Sequence, residues 1–178
     1  MHRTKWFERK FPTLEDNGLL PAIIERLDGT PARLYYKTGK LSQQQLTSTD
    51  TKWSIKKEVG HLTDLEPLWL ARVEELASGI PVLRAADLTN TKTDETAHDD
   101  QPIEYLLQSF FYERVKLVNR LRSLHDEELE HSSLHPRLQT PMRIIDLAYF
   151  VAEHDDHHLA RITELLNSDT SWMTDNIL

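Results

Sequence analysis

Apolar positions recur at steps of three and four through most of this chain, and strand-like alternation is nearly absent. The first helical region is predicted from about Leu19 to Lys40. It is interrupted or restarted at "DGTPARL", where Thr30 suits the N-cap and Pro31 the first helical position, whose N–H needs no partner. Gly39 and "LSQQQLTSTDT" then read as a polar connection. The second helix opens at "WSIKKEVGHLTDLEPLWLARVEEL", with Ser54 as N-cap and an end near Ser78 and Gly79. Pro67 lies inside it, so a kink is expected there, or a break followed by a restart.

A polar stretch of roughly twenty residues, "GIPVLRAADLTNTKTDETAHDD", comes next; connections of that length are uncommon in bundles and often functional. Asp99 or Asp100 is the expected cap of the third helix, with Pro102 in its first turn. Ile103, Leu106, Phe110, Leu117, Leu121 and Leu124 form its apolar stripe. A second loop, "HDEELEHSSLHPRLQ", leads to the fourth helix, "TPMRIIDLAYFVAEHDDHHLARITELL", where Thr140 and Pro141 repeat the Thr30–Pro31 device. The tail "NSDTSWMTDNIL" is too polar to be assigned as helix. No internal repeat or low-complexity tract occurs. The pattern predicts an all-α, four-helix bundle with two long connections, in a single domain spanning 1–178.

Composition narrows the chemistry. The chain has 178 residues, 39% of them hydrophobic and 28% charged, which suits an ordinary globular protein. No run of about 18 apolar residues predicts a membrane span. The N-terminal "MHRTKWFERKF" is basic but lacks the apolar stretch of a secretory signal, so a cytoplasmic location is expected. The formal charge of −8 speaks against nucleic acid, because phosphate binding needs a basic footprint. With 0 cysteines, disulfides, thiolate nucleophiles and Cys-ligated zinc are excluded together, so any metal must sit on His, Asp or Glu.

"AEHDDHHLARI" places three histidines in five positions. At about 100° per residue, Ile144, Leu147, Val151, Ile162 and Leu165 share one face of the last helix, and His154 and His158 fall in line with them. His157 points to the polar flank, Asp156 faces away, and Asp155 lies on the other edge of the apolar face. His154 and His158 stand one turn apart, a spacing that lets two imidazoles converge on one ion. His61, about two turns into the second helix and bordering its apolar stripe, is the candidate third ligand. The alternative is a polar core network in which each ring nitrogen finds a hydrogen-bond partner. Spacing alone does not separate the two.

"KWSIKKEVGHLTDLEPLW", followed some ninety residues later by "HDDHHLARI", resembles the DinB-like superfamily of YfiT-like metalloenzymes. The "GTPARL", "HPRLQTPMRIIDL" and "WFERKF" segments resemble it too, so the likeness covers nearly the whole chain. It implies a four-helix bundle whose three histidines, His61, His154 and His158 here, hold a divalent metal, commonly zinc or nickel. It also implies a homodimer and a small-molecule substrate. Some members resemble thiol-dependent transferases or isomerases using bacillithiol, mycothiol or glutathione; others are taken for hydrolases. One departure is Arg161, where many relatives carry glutamine. It borders the metal face, within reach of an anionic substrate group, but reads first as a solvated flank arginine.

The expected function is therefore a metal-dependent small-molecule enzyme, thiol-dependent S-transfer first and hydrolysis as the alternative. The rivals are a non-catalytic metal-binding or stress-response protein, and a helical bundle whose histidines are merely core. The catalytic group would be a water or thiol on the metal, since the chain has no sulfur nucleophile of its own. Asp155 and Asp64 are the nearest carboxylates in sequence that could orient the imidazoles. Asp64 reads rather as a surface or helix-pair charge. Glu58, one turn before His61, is a candidate acid–base group or an early-turn glutamate on the helix dipole. His157 reads as a flank residue or a support for the ligands, and Trp53 and Trp69 as core or cap residues.

Overall fold

The computed structural model describes residues 3–48 and 52–168. In chain order the helices and strands are α1 (Leu20–Asp28), α2 (Thr30–Thr38), α3 (Gln43–Thr47), α4 (Ile55–Ala77), α5 (Thr91–Glu95), α6 (Ile103–Arg122), α7 (Asp126–Leu129), β1 (Ser133–Leu134), β2 (Pro141–Met142) and α8 (Ile144–Ser168). Short 3-10 turns lie at Trp6–Glu8, Asn17–Leu19 and His98–Asp100. Helix α4 packs against α6 and α8, and α1 with α2 closes the opposite wall against the same two helices, giving the expected four-helix bundle. No described helix is long and apolar enough to cross a membrane.

The apolar stripes meet as two clusters rather than one. Leu27, Trp69, Val73, Leu117 and Ala152 belong to the first, and Leu34, Val59, Leu62, Phe110 and Leu159 to the second. Each fully buried Leu, Val or Phe among them contributes about 1.5–3 kcal/mol. Between the clusters, every wall of the bundle turns a polar residue inward: Thr30, Glu66, Arg114 and Asp155, all buried. Arg114 donates to Glu66 Oε1 at 2.6 Å and to both Asp155 oxygens, at 2.5 and 3.0 Å, and Thr30 Oγ1 donates to Asp155 Oδ2 at 2.7 Å. This layer ties α2, α4, α6 and α8 at the waist.

Several expected caps are used differently. Ser54 caps α4 as predicted, accepting from the Lys57 N–H, and Gly79, with φ +68°, follows the helix end at Ala77–Ser78. Thr30 is not an N-cap: Gly29 holds that place and the Thr30 hydroxyl is spent on Asp155. Helix α4 runs unbroken through Pro67, because buried Leu62 and Trp69 anchor it on either side in the two clusters. Neither Asp99 nor Asp100 caps α6; extended Pro102 precedes it, and Asp99 accepts instead from the Ser54 hydroxyl. Thr140 and Pro141 do not start α8. Pro141–Met142 pairs antiparallel with Ser133–Leu134, and α8 begins at Ile144, where Asp146 Oδ2 accepts from the Arg143 N–H at 2.9 Å. The polar connection after Gly39 contains α3, closed by a Ser42–Gln45 capping box. Of the polar tail, Asn167 and Ser168 extend α8, and the rest lies outside the described residues.

The two long connections are stitched to each other. Leu134 N–H donates to Pro81 O at 2.8 Å and Leu83 N–H to Leu134 O at 3.1 Å. The small sheet thereby brings 81–90 and 133–142 together over one end of the bundle, on the side where α4 and α8 present their histidines.

Candidate metal centre

His61 sits on α4, and His154 and His158 one turn apart on α8, all three buried. One ring nitrogen from each lies within 4.8 Å of the others. His154 Nε2 and His158 Nε2 are 3.2 Å apart. Two nitrogens bound tetrahedrally at about 2.0–2.1 Å from one zinc would stand about 3.3 Å apart, so these rings already hold the edge of such a site.

Outer hydrogen bonds decide which nitrogen faces inward. His158 Nδ1 meets Glu58 Oε2 at 2.6 Å. His61 Nδ1 meets Thr93 Oγ1 at 3.0 Å, and that hydroxyl donates to Asp64 Oδ2 at 2.9 Å. Each Nδ1–H is thus spent on an acceptor backed by a carboxylate, which frees Nε2 as a lone-pair donor; metal-binding histidines are oriented in this way. His154 Nδ1 is buried with no partner among the described residues. Without an ion, His154 Nε2–H would donate to His158 and leave a bare Nδ1 lone pair in the core. An ion held by both Nε2 atoms would remove that His154–His158 hydrogen bond and put the His154 proton on Nδ1, so the fit rests on the converging Nε2 atoms and not on the unpartnered Nδ1. The donor set therefore fits a divalent cation.

The electrostatics agree. Burial, reinforced by the charge of His158, pulls His61 down to about 3; burial first, with a smaller contribution from Arg3, pulls His158 to about 3, and burial first, then the neighbouring histidines and Arg114, pulls His154 well below the usual imidazole range. All three rings are neutral at physiological pH, as coordination requires. Burial pushes Glu58 up to about 7 against the opposing pull of the histidine and arginine charges around it.

The remaining candidates are distributed around this core. Asp155 is taken by Arg114 and Thr30 and serves the bundle waist. Asp64 is not a surface charge. Its side chain is 8% exposed, holds Thr93, and accepts from His98 Nε2 at 2.9 Å. His98 itself is buried on Gly60, where a Cβ would lie 2.4 Å from the His98 ring. His157 is half-buried, 2.9 Å from Arg3 Nη1 at its Nδ1, and stacks edge-on to His158 rather than joining the triad. Arg161 approaches Glu58 Oε1 at 3.9 Å and Glu164 Oε2 at 3.2 Å, on the flank of α8.

A cavity of about 330 Å³ opens beside the triad. Trp53 and Trp69 are part of its wall: Trp53 lies 4.7 Å from the His61 ring and Trp69 5.6 Å from that of His154. The connections supply Arg137 and His135, and α4 supplies Arg72. Thr93, His98, His135 and these two arginines were not singled out in the sequence. The one local signal was glycine directly before His61, which marks a close approach.

The sequence profile of the DinB superfamily matches residues 26–162, a span that contains all three histidines. The chain belongs to the DinB superfamily. Among its relatives, a protein of Bacillus pumilus strain SAFR-032 named "Putative metal-dependent hydrolase" is 26% identical over 150 residues, covering 83% of this chain and 85% of the relative. "Putative metal-dependent hydrolase YfiT" of Bacillus subtilis strain 168 is 26% identical over 148 residues, covering 80% and 81%. The solved structure of YfiT, described as an unusual four-helix bundle, matches with a TM-score of 0.73 at 23% identity over 90% of this chain and 93% of that one. This DinB-superfamily chain therefore shares the YfiT fold and carries a three-histidine cluster in its core.

Proposed function

We propose that this protein is a metal-dependent enzyme acting on a small molecule in the cavity beside His61, His154 and His158. The observation that carries the reading is the 3.2 Å approach of His154 Nε2 and His158 Nε2, with His158 Nδ1 held from outside by Glu58. A divalent ion bound there, zinc or nickel by its all-imidazole donor set, supplies Lewis acidity that lowers the pKa of a water or thiol toward neutrality. Glu58 and the Thr93–Asp64 pair hold the His158 and His61 rings in place. Trp53, Trp69 and Phe150 keep the cavity apolar, which strengthens every electrostatic interaction inside it.

The nucleophile we favour is a low-molecular-weight thiol. Asp87 is the one acid among the described lining residues; it is exposed and engaged by Thr89 and Thr91, so among the described residues no carboxylate stands free in the cavity as a general base for water. A thiol starts many units more acidic than water, so it loses its proton to solvent with less help; its sulfur then bonds to an electrophilic carbon and the leaving group departs with the bond electrons. Hydrolysis is the second reading, favoured by the names of the Bacillus relatives. The experiment is elemental analysis of untagged protein followed by two assays on the zinc- and nickel-loaded forms: thioether formation from a bacillithiol- or glutathione-type thiol and an aryl chloride, and release of nitrophenol from an ester. Near one equivalent of metal with thioether formation supports S-transfer. Ester cleavage alone supports hydrolysis, and no bound metal overturns both.

A further inference from the structure

Three buried side-chain nitrogens have no hydrogen-bond partner among the described residues: Trp69 Nε1, Arg137 Nη2 and His154 Nδ1. All three residues line the histidine cavity. Buried N–H groups are nearly always paired, so orphans gathered around one cavity call for acceptors from whatever fills it.

The arginines of the same wall lack a countercharge. Arg72 is 1% exposed, yet its guanidinium touches no carboxylate among the described residues. Its Nε and Nη2 donate to Arg84 O at 3.1 and 2.8 Å, and its Nη1 lies 3.2 Å from His135 Nε2. Glu75, which acts on Arg72 at longer range, is itself taken by Arg84. Arg137 lies over the Phe7 and Phe150 rings at 5.3 and 5.9 Å and forms no ion pair among the described residues. Arg114, equally buried, is clasped by two carboxylates. A buried guanidinium without an anion is the exception, and Arg72 shares its cavity with the half-buried Arg137, whose Nη2 is itself buried. Burial lowers the pKa of both, Arg72 to about 10, as expected of cations held without a partner.

We propose that the cavity binds a small organic carboxylate, its anionic group against Arg72 and Arg137 and its apolar body along Trp69 and Phe150, with the far end toward the three histidines. This rests on the histidine cluster being the reacting end of the cavity, and it assigns the substrate class. A carboxylate suits the donors better than a phosphate. Much of the Arg72 fork is already given to Arg84 O, so the free donors, Arg137 Nη2 and Trp69 Nε1, match two oxygens rather than a dianion's three.

The test titrates chelator-stripped and zinc-loaded protein with phenylacetate, its neutral isostere phenylacetamide, and inorganic phosphate, following tryptophan fluorescence. Wild type should saturate with phenylacetate in both forms, with phenylacetamide at least about tenfold weaker. Arg137→Gln should weaken phenylacetate at least about tenfold while keeping its melting temperature and metal uptake, and Arg137→Lys should recover part of the loss. Equal binding of acid and amide, or unchanged binding in Arg137→Gln, overturns the proposal. So does phosphate binding tighter than phenylacetate, or binding that needs zinc and ignores Arg137. Metal uptake, measured separately, reports on the histidine cluster alone.

Discussion

Glu58 and His158 stand 100 residues apart in the sequence and 2.6 Å apart in the bundle, carboxylate Oε2 against imidazole Nδ1. The contact joins the first turns of α4 to the middle of α8 and fixes which His158 nitrogen looks into the cavity. Replacing Glu58 with glutamine keeps an acceptor but removes the charge. Metal affinity, measured by competition with a chromogenic chelator, should fall by about tenfold or more. Equal affinity in Glu58→Gln would show that the carboxylate does not support the ligand.

The triad predicts a selective pattern of metal loss. His61→Ala, His154→Ala and His158→Ala should each purify without stoichiometric zinc or nickel, whereas His157→Ala should retain it, since His157 sits with Arg3 outside the cluster. Elemental analysis of the four proteins decides the matter. Loss in His157→Ala with retention in His158→Ala would mean a different register of ligands on α8.

The waist of the bundle is a stability element independent of metal. Arg114→Met strands Glu66 and Asp155 as buried, unpaired carboxylates and should cost about 3–5 kcal/mol in urea unfolding at neutral pH. A loss under about 1 kcal/mol would mean that the two acids reach water or protonate at little cost.

Gly60 is predicted to be intolerant of any side chain. Its Cβ would meet the His98 ring at 2.4 Å and push it off Asp64, so Gly60→Ala should destabilise the fold by about 1–3 kcal/mol despite its better helix propensity. A rise in melting temperature would show that His98 moves aside freely.

One separable contribution to the pH dependence comes from His135, which lies outside the triad and whose pKa is pushed down to about 4 by burial and then by the charges of Arg72 and Arg137. A histidine depressed in the folded state takes its proton first in the unfolded chain, so native stability is whole above about 6.5 and falls as pH drops from there toward about 4. Between about pH 7 and 5, His135→Asn should lose less stability than wild type, by about 1 kcal/mol. Parallel curves for the two proteins would place the acid sensitivity elsewhere.

Legibility in the sequence tracked how local each signal was. The long helices were readable because a 3.6-residue period is written within each segment, and Ser54 because capping spans three residues. Thr30, Asp99 and Thr140 looked like caps from the same local chemistry, but their side chains or neighbours had stronger partners elsewhere: Asp155, Ser54 and the strand at Ser133–Leu134.

The sequence by itself determined the bundle and the alignment of His154 with His158, because i and i+4 on a helix are neighbours whatever surrounds them. It also marked His61 as a core residue on another helix. Only the tertiary structure decided that Asp64 is an inner residue holding Thr93 and His98, that Glu58 faces His158, and that Arg114 binds Glu66 and Asp155. The reason is physical. These buried charges each have a partner, and the partners come from other helices or from connections whose paths are set by packing. The cavity wall of Arg72 and Arg137, which lack such partners, is likewise a product of packing, assembled where two loops are joined by a two-residue sheet that no periodicity announces.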